Sequence, residues 1–279
     1  MADPLVRRLN FFKMHGGGND FVLIDHRLPI LGEADQPPFA RRVCHRQTGV
    51  GADGLILLEL SQRADLRWQF YNADGSAAEM CGNGARCAAR YAVLTGMAGE
   101  TLSLETRAGI IHADVIDRQA RITMTGVGEA RLHLTVPLSD LTLTGHVQQV
   151  GVPHVVFPVP DLEQVPVADW GRAVRFHPMF QPAGANVNFI RVTSPHALAV
   201  RTYERGVEDE TLACGTGAVA SALVAARLGQ VNSPVLVHTR GGEILTVSFQ
   251  QQSDTLTDVL LEGEALVTFQ GELWLDELK

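Results

Sequence analysis

The chain has 279 residues, a formal charge of −8 and 46% hydrophobic residues, which is enough apolar material for one large domain or two ordinary ones. Acidic residues outnumber basic ones and there is no run of Lys or Arg, so neither a nucleic-acid partner nor an anionic membrane surface is expected. No apolar run is long enough to cross a bilayer, and the four cysteines are too few for a disulfide scaffold. A cytoplasmic location is therefore predicted.

In the first half of the chain, short segments rich in branched and aromatic residues predict strands, because Gly, Asp or Pro separates them. These strands are predicted at 21–25, 55–59, 68–71, 102–105 and 121–124. The Ala-rich segment 84–94 predicts a helix, since Gly96 stands where a C-terminal glycine cap would.

The second half of the chain has the same plan. Strands are predicted at 155–159, 187–192, 198–203, 235–238, 244–249 and 259–262. The segment 217–228 is apolar nearly all round and predicts a buried helix. Many short strands and one buried helix in each half predict an α+β fold in which strands wrap around the helix.

The chain also repeats itself, with matching residues 133 positions apart. Cys-Gly-Asn-Gly-Ala at 81–85 returns as Cys-Gly-Thr-Gly-Ala at 214–218. The other matching pairs are 18 with 151, 51–52 with 184–185, 96 with 229, and 106–109 with 239–242. The repeat predicts an internally duplicated protein with two similar domains, 1–135 carrying Cys81 and 136–279 carrying Cys214. The last strand of the chain could pack with the first half.

Each of these two cysteines stands at the start of a predicted helix, where backbone N–H groups lack helical partners and the helix dipole is positive. The neighbouring glycines let the backbone approach a ligand, which predicts a carboxylate pocket. The same position favours the thiolate and lowers a thiol pKa from about 8.5 toward roughly 3.5–7.5. One such cysteine would more often be a packing residue, but two matched copies suit inversion of a stereocentre, with one thiolate as base and one thiol as acid.

The other two cysteines, Cys44 and Cys87, lack this glycine context and are interpreted as packing residues. The spacing from Cys81 to Cys87 is not a usual zinc spacing, and the sequence contains no Cys-x-x-Cys. Neither a metal nor a cofactor is therefore predicted.

Longer stretches around both cysteine motifs resemble the signatures of diaminopimelate epimerases. The first signature is Tyr-Asn-Ala-Asp-Gly-Ser at 71–76 running into Met-Cys-Gly-Asn-Gly-Ala-Arg at 80–86. The second is Tyr-Glu-Arg-Gly at 203–206 followed by Thr-Leu-Ala-Cys-Gly-Thr-Gly at 211–217. Segments 15–21, 51–54 and 186–189 fit the same family, so the resemblance extends from residue 12 to about residue 275.

The resemblance implies a pyridoxal-independent isomerase that interconverts L,L- and meso-diaminopimelate, a step toward lysine and peptidoglycan. It implies two halves, each a mostly antiparallel barrel around a central helix, with the site in the cleft between them. No cofactor or metal is implied, the implied partner is a small amino-acid substrate, and a homodimer is a possible assembly.

The resemblance also assigns roles to individual residues, with Cys81 and Cys214 as the acid and base. The reacting carboxylate is expected to bind the backbone of Gly82, Asn83, Gly215 and Thr216. The rest of the substrate is expected to contact Asn19, Asn72, Asn186, Glu204 and Arg205, and the residues expected to tune the cysteines are His154 and Glu204. Arg205 could pair in bidentate fashion with the distant carboxylate. Without the resemblance, Asn72 would be a turn residue and Glu204 with Arg205 a surface ion pair.

Two departures from the family pattern concern positions that would contribute to substrate binding. Many members have Asn where this chain has Val152, and some have Gln where it has Gly54. The alternatives are a related proline-type or other amino-acid racemase, which would share the two-cysteine mechanism, and a non-catalytic thiol switch or binding module. Isomerases of the phenazine-pathway type lack the cysteine pair, so Cys81 and Cys214 argue against that class.

Overall fold

The computed structural model describes residues 8–138, 141–253, 255–276 and 278. The elements up to residue 123 are β1 (Arg8–Gly16), β2 (Asn19–Asp25), α1 (Gln36–Cys44), β3 (Gly54–Leu60), β4 (Leu66–Asn72), α2 (Gly82–Leu94), β5 (Thr101–Thr106), β6 (Gly109–Ile116) and β7 (Gln119–Thr123). Those that follow are β8 (Val127–Pro137), β9 (Thr142–Val150), β10 (Val152–Pro158), α3 (Val167–Arg175), β11 (Asn186–Ser194), β12 (Ala197–Glu204), β13 (Asp209–Thr211), α4 (Gly215–Arg227), β14 (Val235–His238), β15 (Ile244–Gln252), β16 (Thr255–Glu264) and β17 (Leu266–Trp274).

The chain divides into two compact units, and their boundaries differ from those of the sequence repeat. The first unit is Met1–Ile122 with Glu264–Lys279, and the second is Thr123–Gly263. The division predicted after residue 135 falls inside β8. Strand pairing explains the difference, because β8 pairs with β9 of the second unit and β17 pairs with β1 of the first. Each repeat thus contributes its last strand to the other unit.

In the first unit the strands pair in the order β17–β1–β2–β3–β4–β5–β6–β7. The β2–β3 and β4–β5 pairs are parallel and the other pairs are antiparallel. Helix α2 packs against β1, β2, β3 and β6, whereas α1 packs against β3 and β4. Phe39 and Val43 of α1 share an apolar cluster with Phe11, Val22 and Leu55 of the strands. The sheet of this unit therefore packs against both helices.

The second unit repeats this topology. Its strands pair in the order β8–β9–β10–β11–β12–β14–β15–β16, and β13 also pairs with β12. The parallel pairs, β10–β11 and β12–β14, fall at the same two places as in the first unit. Helix α4 packs against β9, β10, β11, β12, β14 and β15, and α3 against β11, β12 and β13. The prediction of a duplicated, mostly antiparallel α+β fold is confirmed.

The two central helices correspond residue for residue at the offset of 133. They begin at Gly82 and Gly215, two residues before the predicted starts, because the preceding cysteines take extended backbone and act as N-caps. Each helix is followed by a glycine with positive φ, 69° at Gly96 and 70° at Gly229. Eleven of the thirteen residues of α4 are buried, as its apolar sequence predicts.

Two helices and several strands were not anticipated from the sequence. Helix α1 carries prolines in its first turn, which resemble loop residues but suit a position where no N–H partner is needed. Helix α3 contains Gly171, and a Cβ there would lie 2.4 Å from Cβ of Tyr203. The strands that were missed are β1, β6, β8, β9, β13 and β17. Strands β8 and β17 expose most of their residues, although apolar and polar residues alternate over 130–136 and 267–273.

Among the residues that the structure describes, no helix has the length and apolar character needed to cross a bilayer.

Candidate active site

Cys81 caps the N-terminus of α2 with its own sulfur. Its backbone is extended, with φ −147° and ψ 118°, and its Sγ accepts the backbone N–H of Gly84 at 3.4 Å. The side chain is half-buried. Because the first N–H groups of a helix lack helical partners, this position stabilises negative charge on the sulfur.

Asn19 is a polar side chain that the structure places next to Cys81. The Cys81 Sγ lies 3.5 Å from Oδ1 of Asn19, with the thiol as donor. The other end of the same amide, Nδ2, donates to Oδ2 of Asp53 at 2.6 Å. Asn19 begins β2 and Asp53 immediately precedes β3, so the parallel β2–β3 pair sets these two side chains next to each other.

Asp53 belongs to a cluster of four charged residues. Its Oδ1 accepts from Arg46 at 2.9 Å, and Arg46 also bonds both carboxylate oxygens of Asp20, at 3.1 and 3.2 Å. Lys13 lies 2.8 Å from Asp20. Burial alone would raise the pKa of Asp20, but hydrogen bonds from Lys13 and Arg46 outweigh it and lower that pKa. Asp20 is therefore held in its ionised form, and the cluster beside Asn19 contains two acidic and two basic residues.

The remaining first-unit residues of the predicted site fall into two groups. Gly82 and Asn83 are buried in the first turn of α2, directly after Cys81, and Oδ1 of Asn83 has no hydrogen-bond partner among the described residues. Asn72 is exposed at the end of β4, where its Nδ2 donates to Oγ of Ser76 at 3.0 Å. Asn72 thus has the turn contact that its sequence context suggests.

Cys214 caps α4 in the same way as Cys81 caps α2. Its Sγ accepts the N–H of Gly217 at 3.4 Å and lies 3.5 Å from Oγ1 of Thr216. The residue is 6% exposed, and Gly215 after it is buried. A Cβ at Gly217 would come within 2.5 Å of Oδ1 of Asn188 and 3.2 Å of the Cys214 sulfur. Glycine at this position therefore lets the helix start close to both groups.

His154 is fully buried between two asparagines. Its Nε2 lies 3.4 Å from Nδ2 of Asn186, and its Nδ1 lies 3.3 Å from Nδ2 of Asn188. Burial, followed by the positive charge of Arg205, lowers the pKa of His154 to about 3, against a weaker opposing hydrogen bond to the Val150 backbone. His154 is therefore a neutral hydrogen-bonding group at physiological pH.

Asn186, Glu204 and Arg205 meet where β11 begins and β12 ends. The backbone N–H of Arg205 donates to Oδ1 of Asn186 at 2.7 Å, and its guanidinium donates to the Ala183 carbonyl at 3.1 Å. Glu204 is half-buried as the last residue of β12. Asn186 thus joins Arg205 to His154 within the second unit.

Two polar residues near the cysteine caps were not singled out from the sequence. Asp53 orients Asn19, and Asn188 contacts His154 and accepts a hydrogen bond from Thr202 at 2.9 Å. Both lie in segments that resemble the family, 51–54 and 186–189, and this resemblance could have identified them as candidate site residues. Their roles depend on partners distant in sequence.

The two departures from the family pattern differ in their surroundings. Val152 begins β10 at the position that matches Asn19 in the first half, so its side chain cannot provide an amide there. A Cβ at Gly54 would lie 2.6 Å from Cε2 of Phe70 and 2.8 Å from the Tyr71 carbonyl. A longer side chain at 54 would thus require Phe70 to move.

Cys44 is buried, and burial raises the pKa of its thiol to about 12. Cys87 is fully buried within α2. The described part of the chain contains no group of three or more His, Cys, Asp or Glu side chains arranged to hold a metal ion.

Solved structures with the same fold define the class of protein. A hydroxyproline epimerase from Agrobacterium vitis aligns with a TM-score of 0.73 at 18% identity, over 98% of this chain and 94% of that one. A PhzF-family phenazine biosynthesis protein from Bacillus anthracis also aligns with a TM-score of 0.73, at 15% identity, over 96% and 99%. The protein is thus a duplicated α+β protein of the fold that these two share.

The sequence comparisons identify the family within this class. The family model for diaminopimelate epimerase matches residues 11–132 and 146–265. Diaminopimelate epimerases from Aquifex aeolicus and Archaeoglobus fulgidus are 45% and 42% identical to this chain. The alignments cover 95% and 98% of this chain and 98% and 99% of those proteins. The chain belongs to the diaminopimelate epimerase family.

Proposed function

We propose that this protein is a cofactor-independent isomerase that interconverts L,L-diaminopimelate and meso-diaminopimelate. The observation that carries the proposal is the matched pair of cysteine caps, each with its sulfur 3.4 Å from a helix N-terminal N–H. The names and near full-length similarity of the relatives support the substrate. The reaction would serve the formation of lysine and peptidoglycan precursors.

The proposed chemistry is proton transfer by two thiols. Inversion without a cofactor needs a base on one face of the α-carbon and an acid on the other, and we assign these roles to Cys81 and Cys214. One is the thiolate and the other the thiol, and they exchange roles with each turnover. Their titrations are then coupled, so an observed pKa would belong to the pair.

The helix N-termini supply the second part of the mechanism. The α-proton of an amino acid is weakly acidic, so negative charge that develops on the carboxylate must be stabilised in the transition state. Backbone N–H groups at Gly82 and Asn83, and at Gly215 and Thr216, are suited to this because they belong to the first turns of buried helices.

Substrate specificity is assigned to the polar residues around the two caps. Arg205 is suited to a distant carboxylate, and its guanidinium is held by the Ala183 carbonyl. The others assigned to substrate contact are Asn19, Asn72, Asn186 and Glu204. His154 would act as a neutral group, through Asn186 and Asn188, and not as a cation. A cytoplasmic location is part of the proposal and is supported by the small number of cysteines.

The decisive experiment follows solvent deuterium into the substrate. Purified protein is incubated with L,L-diaminopimelate in deuterated buffer without pyridoxal phosphate, beside the Cys81→Ala, Cys214→Ala and Cys87→Ala variants. Deuterium at the α-carbon with formation of the meso isomer is expected for the wild type and for Cys87→Ala. Interconversion should be lost in the other two variants. Folded, reduced wild-type protein that turns over proline but not diaminopimelate would support the racemase alternative instead.

A further inference from the structure

The orientation of the Asn19 amide is determined by Asp53. A side-chain amide has a donor end and an acceptor end, and the two are assigned by their partners. An ionised carboxylate only accepts hydrogen bonds, so the nitrogen of Asn19 must face Asp53, 2.6 Å away. The carbonyl oxygen is thereby directed to the Cys81 sulfur at 3.5 Å.

Asp53 is itself held in place from three sides. The oxygen that binds Asn19 also accepts the backbone N–H of Asp20 at 3.1 Å, and the other oxygen accepts from Arg46 at 2.9 Å. The backbone N–H of Asp53 donates to the Asp20 carboxylate at 2.9 Å. The carboxylate therefore cannot rotate away from Asn19 without breaking its bonds to the Asp20 N–H and to Arg46, and the backbone bond fixes the segment that carries it.

We propose that Asp53 is a positioning residue for Cys81, which holds the Asn19 carbonyl oxygen toward the sulfur and so favours the protonated thiol. This inference rests on the proposed role of Cys81 as an acid and base. A carbonyl oxygen accepts a hydrogen bond from S–H but repels a thiolate, whereas the N–H of Gly84 favours the thiolate. The two opposing contacts keep Cys81 able both to hold a proton and to release it.

The second unit has no side-chain amide at the position that matches Asn19. Val152 stands where the first unit has Asn19, and its side chain has no polar atom. The hydroxyl of Thr216, a group that can donate as well as accept, lies 3.5 Å from the Cys214 sulfur. The side-chain groups that can exchange hydrogen bonds with the two thiols are therefore different.

Other titratable groups surround the Asn19 end of the first unit. The four charged residues of the cluster are Lys13 and Asp20 on β1 and β2, with Arg46 and Asp53 in the segment between α1 and β3. His15 on β1 pairs with Asp20 across the hairpin, and Arg86 lies on α2. Replacing Asp53 changes both the charge near Cys81 and the orientation of the Asn19 amide, so the test must separate these two effects.

The test measures the pH dependence of iodoacetamide alkylation at Cys81, read by peptide mass spectrometry without substrate. The proteins are the wild type, Asn19→Ala, Asp53→Asn and the double variant. Asn19→Ala should lower the midpoint pH of alkylation by about half to one unit, because it removes one hydrogen bond to the thiol. Asp53→Asn should lower it too, since the amide can then turn its nitrogen to the sulfur, but should add little when Asn19 is already Ala.

Two results would overturn the proposal. If Asp53→Asn shifts the midpoint pH of alkylation equally in the wild type and in Asn19→Ala, Asp53 acts through its charge and not through the Asn19 amide. A midpoint that is unchanged or higher in Asn19→Ala would mean that the carbonyl oxygen does not favour the thiol, and this result does not require Asp53→Asn to fold. Asp65→Asn, which removes a carboxylate bonded to Ser103 in the same unit, should leave the midpoint unchanged. Because no substrate is present, a failure of the proposed epimerase activity would leave these readings intact.

Discussion

The N-terminal ends of α2 and α4 have the same backbone and different side-chain surroundings. In both, the sulfur of an extended cysteine accepts an N–H at 3.4 Å from the glycine three residues later. Beside Cys81 lie the Asn19 amide and a charged cluster, whereas Thr216 contacts Cys214 and uncharged His154 and Asn188 lie near the start of α4. Duplication thus reproduces the geometry of the cysteine cap, while the side chains around the two sulfurs differ.

The largest expected effect comes from replacing either cap sulfur by oxygen. Cys81→Ser and Cys214→Ser keep a good N-cap residue but not an acidic thiol, so both should fold. Each should lower the rate of epimerisation about 10³-fold, the scale of a lost general acid or base. Stopped assays with chiral separation of the isomers would measure this. A large loss in only one variant would contradict equal roles for the two caps.

The matched helix glycines should respond unequally to alanine. At Gly217 a Cβ would lie 2.5 Å from Oδ1 of Asn188, which is bonded to Thr202, so Gly217→Ala should destabilise by about 1–3 kcal/mol. At Gly84 the nearest atom is the flexible end of Ile56 at 3.2 Å, and alanine favours the helix by about 1 kcal/mol. Gly84→Ala should therefore be close to neutral. Urea unfolding compares the two, and similar losses would contradict the prediction.

Burial of His154 should make the free energy of unfolding depend on pH in the acidic range. Burial and Arg205 lower the pKa of His154 to about 3 in the folded protein, against about 6.5 when unfolded. Below pH 6.5 the unfolded state binds a proton that the folded state does not, so the free energy of unfolding falls by about 1.4 kcal/mol per pH unit until about pH 3. His154→Phe, which copies the matching Phe21, should remove this contribution. Equal slopes for both proteins between pH 6 and 5 would refute it.

The smallest expected effect distinguishes the cap thiols from a packing thiol. Burial raises the pKa of Cys44 to about 12, so native protein at pH 8 should react with iodoacetamide at Cys81 and leave Cys44 unmodified. In urea both should react, which mass spectrometry of the digested protein can show. Labelling of Cys44 in the native protein as fast as that of Cys81 would contradict the assignment.

The parts of the fold that follow from local sequence were predictable. The positions of α2 and α4 follow from a cysteine, nearby glycines and an Ala-rich stretch, all of which act within a few residues. Helix α1 was missed because its first-turn prolines give the same signal as a loop. Strands β8 and β17 are largely exposed, but both alternate apolar and polar residues, over 130–136 and 267–273, so this alternation would have predicted them.

The part of the candidate site that lies within short sequence motifs could be predicted. The cysteines and their glycines were identified, but the contact of Cys81 with Asn19 spans 62 residues and that of Asn19 with Asp53 spans 34. Such contacts depend on which strands pair, and periodicity does not specify the pairing. The neutral state of His154 depends on the complete burial of its ring and on the charge of Arg205, which is distant in sequence. The catalytic, substrate-binding and tuning roles of all the site residues, and the homodimer, stay predictions.

The strand contributed by each repeat to the other unit bears on how such a chain could arise. A polypeptide made of one repeat would end in a strand that its own sheet does not use and would lack the strand that pairs beside its β1 or β9. Two copies would complete each other by trading their final strands, as in a domain-swapped dimer. Joining two such copies end to end would give the connectivity seen here, so the strand order is that of a domain-swapped dimer made into one chain.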